Sequence, residues 1–77
     1  MPRIHTLSNC RIYIYADDHA PPHFHALGPE AEALIRIETM EVMRGTISRA
    51  DYAEVTEWAK ANVEALLAKW SEYNERD

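Results

Sequence analysis

Nine consecutive residues, Asp17-Asp18-His19-Ala20-Pro21-Pro22-His23-Phe24-His25, hold three of the chain's four histidines, two adjacent carboxylates and a proline pair. Imidazole is the commonest protein ligand for transition metals, and three neutral ring nitrogens leave zinc an open position for water. On a strand, His23 and His25 point the same way, about 6.5–7 Å apart, close enough to converge on one ion. His19 can complete the set from the preceding loop, and Asp18 or Asp17 can serve as a ligand or as an acceptor that orients an imidazole.

The spacing is not one of the established zinc signatures, so other chemistry stays open. Histidines can act as general acid and base, with Arg36 holding a phosphate or carboxylate. His23-Phe24-His25 also has the His-hydrophobic-His form of metal-dependent nicking nucleases, although none of Tyr13, Tyr15, Tyr52 or Tyr73 is marked as their nucleophile. In a purely structural reading the stretch is a turn. Aspartate caps backbone amides there, proline stiffens the chain and histidine bonds across strands.

The elements that must position these residues are legible from periodicity. Arg3 to Thr6 reads as an edge strand, with Ile4 and Thr6 on one side and Arg3 and His5 on the other, followed by a Ser8-Asn9 turn. Cys10 to Ala16 alternates, with Cys10, Ile12, Ile14 and Ala16 opposing Arg11, Tyr13 and Tyr15. The Tyr13/Tyr15 face is suited to border a site. Pro21-Pro22 predicts a stiff, extended loop. Strand pattern resumes from His23 to Leu27, with Phe24 and Ala26 turned toward the core. A Gly28-Pro29-Glu30 turn leads to a strand from Ala31 to Glu38, and a short strand follows around Val42 and Met43. Arg44-Gly45 is expected to end the sheet.

Ser48 followed by Asp51 is a capping-box pattern, with Ile47 and Tyr52 as its hydrophobic staple. Tyr52, Val55, Ala59, Val63, Leu66, Trp70 and Tyr73 then recur at three- and four-residue steps, an apolar stripe on one long helix. A helix of about 25 residues is roughly 38 Å long and overhangs strands of some 20–25 Å. Trp70 and Tyr73 lie on that overhang, which predicts a homodimer contact through the C-terminal helix. The expected fold is α+β: an antiparallel, meander-like sheet of four to five strands over about 3–44, then one helix over about 49–74 on one face. All 77 residues form a single domain.

The formal net charge of -5 disfavours direct binding to nucleic acid, whose phosphates select basic surfaces. The single cysteine, Cys10, excludes an intramolecular disulfide, suits a reducing compartment and reads as a small core residue. No apolar run approaches membrane-spanning length, and the expected location is the cytoplasm.

The Asp-His-x-Pro-Pro-His-x-His core, the aromatic strand ending at Tyr15, Gly45, Ser48 opening a helix and Trp70 near its end resemble the small bacterial domain-of-unknown-function family 4160. The resemblance covers nearly the whole chain. On matching positions it singles out His19, Pro21, Pro22, His23 and His25. Asp18 also matches, whereas Asp17 stands where the family often carries asparagine. The resemblance implies a second small protein encoded nearby, in an arrangement like a toxin-antitoxin module. The expectation is therefore a module with a divalent-metal site, zinc foremost, formed by His19, His23 and His25 with Asp18. Two alternatives stand beside it: an interaction component whose motif is structural, and a metal-dependent hydrolase or nuclease.

Overall fold

The computed structural model describes residues 3–16 and 18–74. Asp17, weighed above as a ligand, lies outside the described residues. Five strands, β1 (Arg3–Thr6), β2 (Arg11–Tyr13), β3 (His23–Gly28), β4 (Ala31–Arg36) and β5 (Val42–Ile47), precede helices α1 (Arg49–Lys60) and α2 (Val63–Asn74). The strands pair in chain order, each antiparallel to its neighbours, as a meander. The α+β reading with a sheet followed by helix is borne out.

Alternation sorts the sheet into two faces. Ile12, Phe24, Ala26, Ala33 and Ile35 are buried on one, where Val55, Ala59, Leu66 and Trp70 of the helices join the same apolar core. Cys10 belongs to this core, and burial pushes its thiol up, with the charges of Asp51 and Glu54 adding to the effect. Cross-strand register aligns Tyr13, His25, Leu34 and Arg44 in one row of the opposite face. His23 and Arg36 form the next row, at the start of β3.

Three sequence expectations are corrected. The single long helix is two, because Asn62 interrupts it. Its amide nitrogen donates to the Trp58 carbonyl at 2.8 Å, and its backbone N–H turns to Ala59. A short amide side chain competes with the helical ladder in this way. The apolar stripe survives the break, since Val55, Ala59, Leu66 and Trp70 are all buried.

The sheet continues through Gly45 instead of ending there. The β4–β5 register shifts between Leu34 and Ile35, a bulge. Gly45 takes φ +88° beside it, and a Cβ at this position would lie 1.9 Å from the Glu32 carbonyl oxygen. The glycine therefore serves a close approach of two strands.

A second bulge in β1, between Arg3 and His5, moves His5 to the helix face, opposite Ile12. There its ring stacks on Trp58 at 4.6 Å. The Ala20–Pro21 peptide is cis.

At the start of α1, Ser48 Oγ accepts from the Asp51 N–H at 3.2 Å, as the capping pattern predicts. The Asp51 carboxylate does not return the bond. It is buried and accepts from the Asn9 amide, while the Ser48 N–H donates to the Glu30 carbonyl.

Candidate metal centre

The site forms where β3 begins and the loop from β2 folds back over it. Alternation along β3 turns His23 and His25 away from Phe24, which is fully buried in the core. The loop returns Asp18 to face them. The His23 Nε2 lies 2.9 Å from Asp18 Oδ2, and the His25 Nε2 lies 3.3 Å from that same oxygen. The three ligand-capable atoms all fall within 4.8 Å of one another.

Each member is oriented by a further contact. His23 Nδ1 lies 2.8 Å from the Pro21 carbonyl oxygen, which only accepts, so Nδ1 carries the proton. In the neutral ring Nε2 then presents its lone pair to the carboxylate. That approach is favourable only with a proton on Nε2 or with a cation shared between Nε2 and Oδ2. Asp18 Oδ1 accepts from the His19 N–H at 3.0 Å, leaving Oδ2 for the imidazoles. The His23 ring packs 5.0 Å from Trp70, and the His25 ring meets the Tyr15 ring edge-on at 4.4 Å.

Burial alone would push the Asp18 carboxyl up. Hydrogen bonds from His25 and the His19 backbone, with the charge and hydrogen bond of His23, outweigh it and hold the group below its ordinary range. Burial pushes His25 down; the Asp18 bond and charge oppose this only in part, and His23 adds to the depression. A neutral His25 is what metal coordination requires. Burial raises the Tyr15 phenol, with Tyr13 and Asp18 adding to the rise, a direction opposite to activation as a nucleophile.

Of the residues expected at this site, Asp18, His23 and His25 come together. His19 does not join them: it is exposed, and its contribution to the group is its backbone N–H. The loop directs the Asp18 side chain inward and leaves the neighbouring imidazole at the rim. Trp70, expected on an overhang, is 2% exposed and packed within its own chain, so it offers no surface to a second copy. The break at Ala61–Asn62 lets α2 settle against the end of the sheet. Tyr73 is half-buried beside the core.

One residue of the site was not foreseen. Asn74, at the end of α2, accepts from the Asp18 N–H at 2.6 Å and donates to the Tyr15 carbonyl at 3.0 Å. It clips together the two sides of the loop that carries Asp18. No local pattern marks it, because its partners lie 56 and 59 positions away.

No curated protein and no solved structure matches the chain. A family model described as Domain of unknown function (DUF4160) matches residues 9–71, which include the whole of the Asp18–His23–His25 group and most of both helices. The chain belongs to this family.

Proposed function

We propose that the protein is a small divalent-transition-metal-binding module in which Asp18, His23 and His25 are the ligands and zinc is the preferred ion. The reading is carried by the convergence of two imidazole Nε2 atoms on one carboxylate oxygen. Ligands about 2.0–2.1 Å from a tetrahedral zinc are about 3.3–3.4 Å apart. The two edges shared with Asp18 Oδ2, 2.9 and 3.3 Å, lie below and at the lower end of that spacing. The Pro21 carbonyl on His23 Nδ1 is the kind of outer partner that fixes a ligating histidine's tautomer. Three protein ligands leave a coordination position for water or for a bound molecule.

Competition for zinc against a chromophoric chelator tests the proposal. The expected result is one zinc per chain, with affinity reduced at least about tenfold by His25→Ala or Asp18→Ala. His19→Ala leaves the affinity within about threefold, since its ring is outside the group. Failure of the chain to compete for zinc overturns the reading in favour of a metal-free His23–Asp18 pair that only braces the loop. The packing of His23 on Trp70 and the Asn74 clip are the observations that speak for that second reading. A place in a two-gene, toxin-antitoxin-like system is carried by the family resemblance alone. Co-purification with the protein encoded alongside tests it.

A further inference from the structure

Beside the metal-binding group lies a cavity of about 250 Å³, lined by Asp18, His19 and His23 on one side and by Leu34, Met43 and Arg44 on the other. Asp18 is the sole carboxylate among these lining residues. Arg44 is exposed on β5, and Arg36 sits on β4 directly across from His23. With strands about 4.8 Å apart, the two guanidinium-bearing residues stand one and two strands from β3, on the same face as His23 and His25.

Among the described residues, no ion pair or side-chain hydrogen bond engages Arg36 or Arg44. The Arg36 Nε is buried without any hydrogen-bond partner. Arg36 as a whole is half-buried and does not line the cavity, so it adds positive charge beside the site rather than a contact within it. The bulge opposite Leu34 and Ile35 brings Met43 as well as Arg44 to the cavity wall, and Met43 is a large apolar side chain that is 40% exposed.

We infer that this cavity binds a phosphate monoester, its phosphoryl oxygens held between the metal on Asp18, His23 and His25 and the guanidinium of Arg44. The inference rests on the metal reading above. A divalent ion and Arg44 against one carboxylate leave an excess of positive charge, to which Arg36 adds from outside the cavity, and a phosphoryl dianion matches it better than a monoanionic carboxylate. Its terminal oxygens can reach the metal and a planar guanidinium at once, and arginine's forked donors suit that geometry. Leu34 and Met43 form an apolar wall for the organic part of the ester. The acidic balance of the whole chain opposes a long polyanion but not a single phosphoryl group.

Cobalt(II) in place of zinc supplies a visible absorption band that reports on both steps. Phenyl phosphate, inorganic phosphate and benzoate are each titrated into the cobalt-loaded protein. Phenyl phosphate is expected to shift the band saturably, more tightly than inorganic phosphate by several-fold and more tightly than benzoate. Arg44→Ala, at an exposed position that leaves the fold intact, keeps the cobalt band and weakens phenyl phosphate about tenfold or more. Arg44→Lys recovers only part of that loss. Met43→Ala narrows the gap between phenyl phosphate and inorganic phosphate. A cobalt band that phenyl phosphate does not perturb, or unchanged phenyl phosphate binding in Arg44→Ala, overturns the inference and leaves the metal site standing. Tighter binding of benzoate than of phenyl phosphate overturns the ligand class. Absence of the cobalt band overturns the metal reading, and this inference with it.

Discussion

Replacing Asn74 by alanine separates a metal site held by its loop from one held by the far end of the chain. The side chain accepts from the Asp18 N–H at 2.6 Å and donates to the Tyr15 carbonyl at 3.0 Å. Each such bond contributes a net ~0.5–1.5 kcal/mol, so the loss of both costs about 1–3 kcal/mol. For a domain this size each kcal/mol moves the thermal midpoint by roughly 4–8 °C, which places the drop between about 4 and 24 °C. Freed from the clip, the Asp18 backbone no longer holds the carboxylate against the two imidazoles. Loss of an outer partner of this kind lowers metal affinity about 10–100-fold. Thermal unfolding followed by circular dichroism, with and without zinc, gives the first quantity. Chelator competition well below the variant's midpoint gives the second. An unchanged midpoint refutes the clip. A lowered midpoint with wild-type zinc affinity refutes the claim that Asn74 positions the ligand.

Trp70→Ala removes a side chain that is 2% exposed, at an expected cost of about 3–5 kcal/mol. Urea unfolding at two protein concentrations checks this, and a wild-type midpoint that rises with concentration restores Trp70 to an interface. Gly45→Ala drives a Cβ into the Glu32 carbonyl at φ +88° and is expected to cost about 2–4 kcal/mol by the same measurement, whereas a neutral outcome refutes the close approach. In the metal-free protein, His25 and Asp18 are both depressed below their ordinary values of 6.5 and 3.8. Their stabilising contributions are therefore complete above those values and are lost as pH falls through the lower, folded-state ones. Urea midpoints are expected to decline on acidification below about pH 6.5 and again below about pH 3.8, with Asp18→Asn abolishing the second decline. A midpoint that rises on acidification contradicts the assignment.

What could be read from the sequence was what neighbours along the chain decide. Alternation from Cys10 to Ile14 and around Phe24 marked buried faces, and the three- and four-residue steps from Tyr52 to Tyr73 marked a helical stripe. The family motif marked the stretch that carries the site. Features that depend on contacts between distant segments were not legible. Gly45 looks the same as a strand terminator and as the relief for an approaching carbonyl, and only the β4–β5 register decides between them. Asn62 is a local exception: it sits among good helix formers, and its capture of the nearby Trp58 carbonyl leaves no mark on the periodicity. Asp18 and His19 are adjacent and equally able to bind a metal, so the path of the loop determines which one faces β3. Asn74 carries no pattern at all.

The interruption at Ala61–Asn62 also divides the labour of the two helices. α1 holds the β1–β2 end of the sheet, through Trp58 on His5 and the Glu54 carboxylate on Ser8. α2 holds the loop that carries Asp18 and the start of β3, through Trp70 on His23 and Asn74 on Asp18. The break predicts that α2 and the loop open as one cooperative unit while α1 stays docked. Amide hydrogen exchange in α2 and in the loop should then share one opening free energy, smaller than that of the Phe24–Ile35 core. On the proposed metal reading, ion release then follows the rate of that opening, and the helix break, rather than the ligands themselves, times metal residence.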